Sequence, residues 1–143
     1  MIEGIDHIAI AVEDLDESLR LFETVFGMRA HHREIVADQN VEVATIQTGD
    51  TAIELVAPTS SESGIAKYLA KRGPGIHHIA LQVTDIASAL TTLEQKGAKL
   101  IDASPRTGKE NSKVAFVHPK STGRALFELV EPAHDSANDD TDV

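Results

Sequence analysis

An internal repeat is the feature that most constrains the fold of this chain. The segment Gly-Ile-Asp-His-Ile-Ala-Ile-Ala-Val at residues 4–12 recurs, 71 positions later, as Gly-Ile-His-His-Ile-Ala-Leu-Gln-Val at residues 75–83. Each copy precedes an aspartate, Asp14 or Asp85, followed by an amphipathic stretch, which predicts a strand and then an N-capped helix. A second pair, Ile-Glu-Leu-Val-Ala-Pro at 53–58 and Phe-Glu-Leu-Val-Glu-Pro at 127–132, completes the two halves.

Each half therefore has the order strand, helix and three further strands, which predicts an α+β fold of two paired βαβββ modules. The two modules cover about residues 1–57 and 75–132 of a single domain at 1–132, joined by a linker at 58–74. The predicted later strands are His31–Ala37, Val41–Gln47, Thr51–Val56, Lys99–Ile101, Lys113–His118 and Ala125–Val130, with a short helix at Gly64–Lys71 and a loop at Ser104–Asn111.

Composition excludes several classes of protein. The chain has 143 residues and no cysteine, so thiolate metal sites and cysteine nucleophiles are ruled out. The formal net charge of −10 argues against a general nucleic-acid binder. The absence of a long apolar run, and of a basic segment before the first strand, argues against membrane insertion and a signal peptide, which favours the cytoplasm. The acidic segment 133–143 is expected to be disordered.

Strand alternation groups the residues that suggest chemistry. His7 shares a strand face with Ala9, and His78 shares the equivalent face with Ala80, so both histidines lie beside small residues. Glu54 and Glu128 occupy equivalent positions in the last strand of each half, between large apolar residues where an unpaired carboxylate is costly.

If the halves pair about a pseudo-twofold axis, these two histidines and two glutamates converge on one mixed nitrogen and oxygen site. Such a site suits a divalent zinc, cobalt, manganese, nickel or iron ion. The remaining histidines are interpreted as structural, surface or loop residues; they are His31, His32, His77, His118 and His134.

The paired histidine motifs, together with Phe-Val-His-Pro-Lys-Ser at 116–121 and Leu-Phe-Glu-Leu at 126–129, resemble the vicinal-oxygen-chelate superfamily and, within it, the methylmalonyl-CoA epimerase family. The resemblance covers nearly all of residues 1–132. It implies a cupped, barrel-like sheet around a divalent metal, cobalt by family resemblance. It also implies a homodimer, an acyl-CoA substrate, a place in propionate metabolism and epimerisation of methylmalonyl-CoA through an enolate.

The resemblance also implies roles for individual residues. His7, His78 and Glu128 are implied as metal ligands, and the position of Glu54 as a fourth. Glu42 and Glu128 are implied as the acid/base pair that serves the two faces of a planar intermediate. The candidates for holding the CoA phosphates are four basic residues of the second half: Lys109, Lys113, Lys120 and Arg124.

Two other functions remain open at this point. A glyoxalase-type isomerase acting on a glutathione hemithioacetal would use a similar metal site. A non-catalytic binding module of the same fold would bind a small molecule without turnover. The low aromatic content of 3% offers little for stacking a flat ligand, which disfavours the binding module.

Overall fold

The structure is a computed structural model and describes residues 1–134. Its elements follow the predicted order. The eight strands are β1 (Ile2–Ala11), β2 (His32–Val36), β3 (Val41–Thr48), β4 (Thr51–Pro58), β5 (Gly75–Val83), β6 (Arg106–Thr107), β7 (Lys113–Val117) and β8 (Phe127–Glu131). The three helices are α1 (Leu15–Phe26), α2 (Gly64–Arg72) and α3 (Ile86–Gln95). The predicted tail lies, from residue 135 onward, outside the described residues.

All eight strands form one strongly curled sheet, in the order β2-β3-β4-β1-β5-β8-β7-β6. The two first strands of the repeat, β1 and β5, pair antiparallel at its centre. Each is flanked by the last strand of its own half, with β4 parallel to β1 and β8 parallel to β5. The predicted α+β fold of two paired modules around a cupped sheet is confirmed.

Helices α1 and α3 pack on the outer, convex face of the sheet. Asp14 and Asp85 cap them, and each carboxylate accepts a backbone N–H bond three residues on. Leu15 and Phe22 of α1 pack against outward-facing residues such as Leu55. Ile86 and Leu90 of α3 pack in the same way against outward-facing residues of the second half. The concave face is consequently left free of these helices.

Two predicted boundaries in the second half are wrong. The segment Lys99–Ile101 forms only one bridging pair, Leu100 with Val117. The Asp102 carboxylate accepts the Phe116 N–H bond that a continued strand would have used, so the ladder stops there. The short strand β6 lies instead at Arg106–Thr107, inside the stretch predicted as a loop.

In the described part of the chain, no helix combines the length and apolar character needed to cross a membrane.

Candidate metal centre and surrounding cup

The concave face encloses a cavity of about 620 Å³, and four buried polar residues meet at its floor. His7, Glu54, His78 and Glu128 come from the four central strands, and each is at most 8% exposed. His7 lies opposite Ala80 in the β1–β5 register, and His78 lies opposite Ala9. The two alanines are completely buried, so each histidine faces a methyl group that leaves room for a ligand.

Three of these residues turn their ligand atoms toward one point. Nε2 of His7 lies 3.3 Å from Nε2 of His78, and each of these nitrogens lies 3.3 Å from Oε1 of Glu128. Two imidazole nitrogens and a carboxylate oxygen at this spacing form a donor set that suits a divalent transition ion. The residues present therefore fit the metal that the fold family implies.

Both histidines are oriented through their other ring nitrogen. Nδ1 of His7 lies 2.7 Å from Oδ2 of Asp6, and Nδ1 of His78 lies 2.8 Å from Nδ1 of His77. With the proton of His7 assigned to Nδ1, facing Asp6, its Nε2 lone pair is left for a cation. Asp6 and His77 occupy equivalent positions in the repeat, each directly before a ligand histidine. The equivalence of these two positions in the repeat could have indicated from the sequence that His77 orients His78; the sequence analysis interpreted His77 only as a structural residue.

The fourth predicted ligand lies on the far side of the His7 ring. Oε2 of Glu54 is 3.0 Å from Nδ1 of His7, not beside its Nε2. The structure therefore brings Glu54 into the cup but separates it from the group formed by His7, His78 and Glu128. Ligation by Glu54 stays a prediction, and it would require the carboxylate to move around the ring.

The electrostatics of the floor favour a cation. Burial alone would lower the pKa of His7, but hydrogen bonds to Asp6 and Glu128 and the charge of Glu54 raise it to about 10. Burial would raise the pKa of Glu128, but hydrogen bonds from His7 and His78 lower it to about 2. Burial and neighbouring His78 lower the pKa of His77 to about 4, so His77 is neutral at pH 7.

Metal uptake near pH 7 is expected to release about one proton per ion. Metal-free His7, with a pKa of about 10, is protonated at this pH and must lose its proton to donate Nε2. Apparent affinity should rise by up to about tenfold per pH unit below pH 10, where the proton competes, and level off above it. Calorimetric titration with Zn²⁺ or Co²⁺ in buffers of different ionisation enthalpy measures the released proton. Affinity independent of pH between 6 and 9 would contradict this linkage.

Glu42 does not reach the cup. Its neighbours Val41 and Val43 line the cavity, whereas Glu42 points to the opposite face of β3. There its carboxylate lies 3.0 Å from Nε of Arg33, which also pairs with Asp16 of α1. This placement does not support the expectation that Glu42 serves one face of an intermediate. Side chains alternate along a strand, so a shift of one residue moves a side chain from one face to the other.

The four predicted phosphate-binding residues are dispersed. Lys109 lies inside the cup, with Nζ 2.9 Å from Oε2 of Glu54 and 3.2 Å from Oγ1 of Thr45. Lys113 is exposed beside Glu131, and Lys120 is exposed in the 3₁₀ turn after β7. Arg124 lines a second cavity, behind His77 and His78. The structure thus brings only Lys109 to the metal centre.

A close contact and an unusual backbone place Lys109. Gly108 is buried, and a Cβ atom there would come within 2.7 Å of Ser112 and Val114, so only glycine lets the loop lie this close to β7. Glu110 and Asn111 then adopt positive φ angles of 51° and 59°. The Glu110 N–H donates to Glu34 of β2, and this bond ties the loop across the mouth of the cup.

The comparisons with known proteins agree with this geometry. Residues 6–116 match the glyoxalase/bleomycin resistance protein/dioxygenase superfamily. The crystal structure of methylmalonyl-CoA epimerase from Mycobacterium tuberculosis is similar, with a TM-score of 0.91, 40% identity and coverage of 96% of this chain and 93% of that one. The ethylmalonyl-CoA/methylmalonyl-CoA epimerase of Cereibacter sphaeroides is 35% identical over 90% of this chain and 98% of its own length.

A methylmalonyl-CoA epimerase in complex with methylmalonyl-CoA and NH4+ is also similar, with a TM-score of 0.88 and 34% identity over 93% of this chain and 96% of that one. Both the sequence match and the shared curled sheet extend across the two halves of the repeat. The chain therefore belongs to the glyoxalase/bleomycin resistance protein/dioxygenase superfamily and, within it, to the methylmalonyl-CoA epimerase family.

Proposed function

We propose that this protein is a metal-dependent epimerase that interconverts the (2R) and (2S) forms of methylmalonyl-CoA. The observation that carries the proposal is the pair of buried carboxylates, Glu54 and Glu128, which lie against opposite ring nitrogens of His7. They come from equivalent strands of the two halves and line one cavity. Inversion at a carbon needs a proton carrier on each side of a planar intermediate, and this pair supplies two.

The α-carbon of methylmalonyl-CoA lies between a thioester and a carboxylate, which makes its proton acidic enough to remove. A divalent ion held by His7, His78 and Glu128 would supply Lewis-acid stabilisation for the charge that develops on oxygen. One carboxylate, Glu128 in one direction, takes the α-proton while the C–H electron pair moves into the thioester carbonyl to give an enolate. The new C–H bond on the opposite face forms with a proton that Glu54 has taken up from solvent, and the reverse reaction exchanges the two roles.

Lys109 is the residue best placed to hold the free carboxylate of the substrate. Its ammonium group has three N–H donors, and in the structure Glu54 and Thr45 lie close to it, which leaves a donor for a ligand in the cup. Burial lowers the pKa of Lys109, but the charge and hydrogen bond of Glu54 raise it above its ordinary value, so the group stays cationic. This position supports carboxylate binding at the reacting end rather than binding of the CoA phosphates.

The direct test is to incubate the purified, metal-loaded protein with a single epimer of methylmalonyl-CoA in deuterated water. We expect approach to the epimer equilibrium together with incorporation of solvent deuterium at the α-carbon, because the proton exchanges through the intermediate. Methylglyoxal with glutathione serves as the comparison substrate. Turnover of the hemithioacetal without turnover of either epimer would overturn the proposal.

Replacing Glu42 with glutamine is expected to leave epimerisation within about twofold of the parent, because Glu42 pairs with Arg33 outside the cup and exposed ion pairs contribute little. Metal content should be unchanged. Steady-state rates and metal analysis on the same sample check this. A loss of 10²-fold or more in a fully metallated variant would show that Glu42 does act on the substrate.

Replacing Lys109 with methionine is expected to lower kcat/KM for methylmalonyl-CoA by about 10- to 100-fold, the range for losing a hydrogen bond to a charged group. Methionine retains much of the length of the side chain without its charge. Lys113→Met, an exposed lysine outside the cup, is the matched control. Equal kinetics in the two variants would remove Lys109 from the site.

The native metal, the homodimer, the cytoplasmic location and the connection to propionate metabolism stay predictions. Cobalt is the metal that we propose, with zinc, manganese, nickel and iron as the ions to compare in the same assay.

A further inference from the structure

A second concave surface lies beside the cup and carries the opposite charge. It is a groove between α2 and the turn before β8, lined by Lys67, Lys71, Arg72 and Arg124. No aspartate or glutamate lines it, although the chain contains 23 acidic residues. Within residues 1–134, none of these four cations forms a salt bridge. Four unpaired positive charges on one groove form a local basic surface in a protein of net charge −10.

The cup itself is unsuited to phosphate groups. Two basic residues line it, Arg106 and Lys109. Arg106 already pairs with Asp102, and Lys109 pairs with Glu54. The acidic residues that line it are more numerous: Asp6, Asp38, Asp50, Glu54, Glu62, Glu110 and Glu128. A multiply charged anion in the cup would meet repulsion from these carboxylates, so a ligand that combines a small reacting end with several phosphates has to place the phosphates elsewhere.

The groove adjoins the cup. Gly64, His77 and His78 line both cavities. Gly64 has no side chain, and the space where a Cβ would lie is empty within 4 Å, so a narrow chain can pass over it. The Tyr68 ring packs edge-on against His77, and its hydroxyl donates to the carbonyl oxygen of Ile76. These contacts fix α2, and the cations on it, relative to the metal centre.

The groove also has unusual backbone at one of its cations. Arg124 has a φ of 86°, a backbone conformation that residues other than glycine rarely adopt. Its N–H donates to the carbonyl oxygen of Pro119 at 2.8 Å, which holds the turn in place. On the other wall, the Arg72 guanidinium lies 5.9 Å from the centre of the Tyr68 ring. Arginine at both walls suits phosphate, which its planar group binds through paired hydrogen bonds.

We infer that this groove binds the phosphorylated nucleotide end of an acyl-CoA, while the acyl group occupies the cup and the intervening chain crosses at Gly64. The inference deepens the proposed function and rests on it for the identity of the acyl group. Its own content is the location of the phosphates. The inference assigns the CoA phosphates to Lys67, Lys71 and Arg72 in place of Lys109, Lys113 and Lys120. Arg124 remains a phosphate-binding candidate.

The first test compares two variants that remove the same charge. Lys67→Ala/Lys71→Ala removes two cations from the groove, and Arg20→Ala/Lys96→Ala removes two exposed cations that line neither cavity. For methylmalonyl-CoA, the groove variant should raise KM by about tenfold with little change in kcat, whereas the control variant should not. For the truncated substrate methylmalonyl-pantetheine, which lacks the nucleotide, both variants should match the parent. An equal rise of KM in the two variants, or a rise that persists with the truncated substrate, overturns the inference.

A second variant and a binding measurement keep the test independent of folding and of turnover. Arg124→Gly removes a cation but suits the positive φ, so it should weaken CoA binding without lowering the melting temperature. Calorimetric titration of the metal-loaded protein with CoA and with adenosine 3′,5′-bisphosphate should show binding that weakens in the groove variant and with added salt. The parent protein could bind CoA and adenosine 3′,5′-bisphosphate, and the groove variant could lose both, while neither epimer is converted. That result would contradict the proposed reaction and support phosphate binding in the groove. Normal conversion with CoA binding unchanged in the groove variant overturns the groove and leaves the reaction intact.

Discussion

Replacing His78 with alanine is expected to abolish stoichiometric metal binding and to lower epimerisation by at least about 10³-fold, the scale of a metal ion's contribution to stabilising developing charge. His78 supplies one of the three converging ligand atoms, and its loss leaves only His7 and Glu128. The fold should survive, because the alanine removes a buried polar group next to His77 and Phe116 without removing an apolar core residue.

Metal analysis per chain, far-ultraviolet circular dichroism and the rate with excess metal are the measurements. His118→Ala is the matched control, because His118 lies at the end of β7 and lines neither the cup nor the groove. Full metal content in folded His78→Ala protein would exclude the ligand set derived from the repeat.

Replacing Glu128 with glutamine should produce a loss of similar size, for a different reason. Glutamine keeps the shape of the side chain but neither carries a proton at neutral pH nor provides a negative charge to a cation, so we expect a loss of at least about 10³-fold even with saturating metal. The equivalent change in the first half, Glu54→Gln, removes the proton carrier on the other face and leaves the group of His7, His78 and Glu128 complete.

The two glutamine variants together test the assignment of faces. With one carrier removed and the metal retained, the other carboxylate can still exchange the α-proton of one epimer with solvent deuterium but cannot invert the carbon. Metallated Glu54→Gln protein should therefore exchange one epimer without epimerisation. Inversion at a normal rate in that variant would exclude Glu54 as a proton carrier, and exchange of both epimers at parental rates in Glu128→Gln would exclude Glu128.

Much of this arrangement could be predicted from the repeat, because strand alternation within each half depends only on residues that are close together in the sequence. Strand periodicity placed His7 and His78 opposite the helix-facing side chains, and the register across β1 and β5 brings each of them against an alanine. Two central strands, β4 and β8, bring Glu54 and Glu128 to the same floor. These features depend on alternation and pairing, which a sequence with an internal duplication displays twice.

The features that the sequence did not predict depend on tertiary placement. Strand alternation predicts that Glu42 lies on the same face of β3 as Ala44, under α1. The role implied by the family resemblance required Glu42 to lie in the cup instead. Lys109 reaches the cup through a contact at Gly108 and positive φ angles in the following residues, which loop composition does not specify. The basic groove is formed by α2 and the turn before β8, and its cations Arg72 and Arg124 lie 52 residues apart in the sequence.

The central pairing of β1 with β5 also has a thermodynamic consequence. The first half provides His7 and the second half provides His78 and Glu128, so an ion bound at the floor bridges the two halves across their shared seam. Neither half alone retains the donor set, and opening the seam releases the ion. Binding is then linked to folding, and an ion present at about 100 times its dissociation constant would add about 2.7 kcal/mol to the free energy of unfolding. The same side chains that prepare the reaction thereby make the two repeats unfold as one cooperative unit.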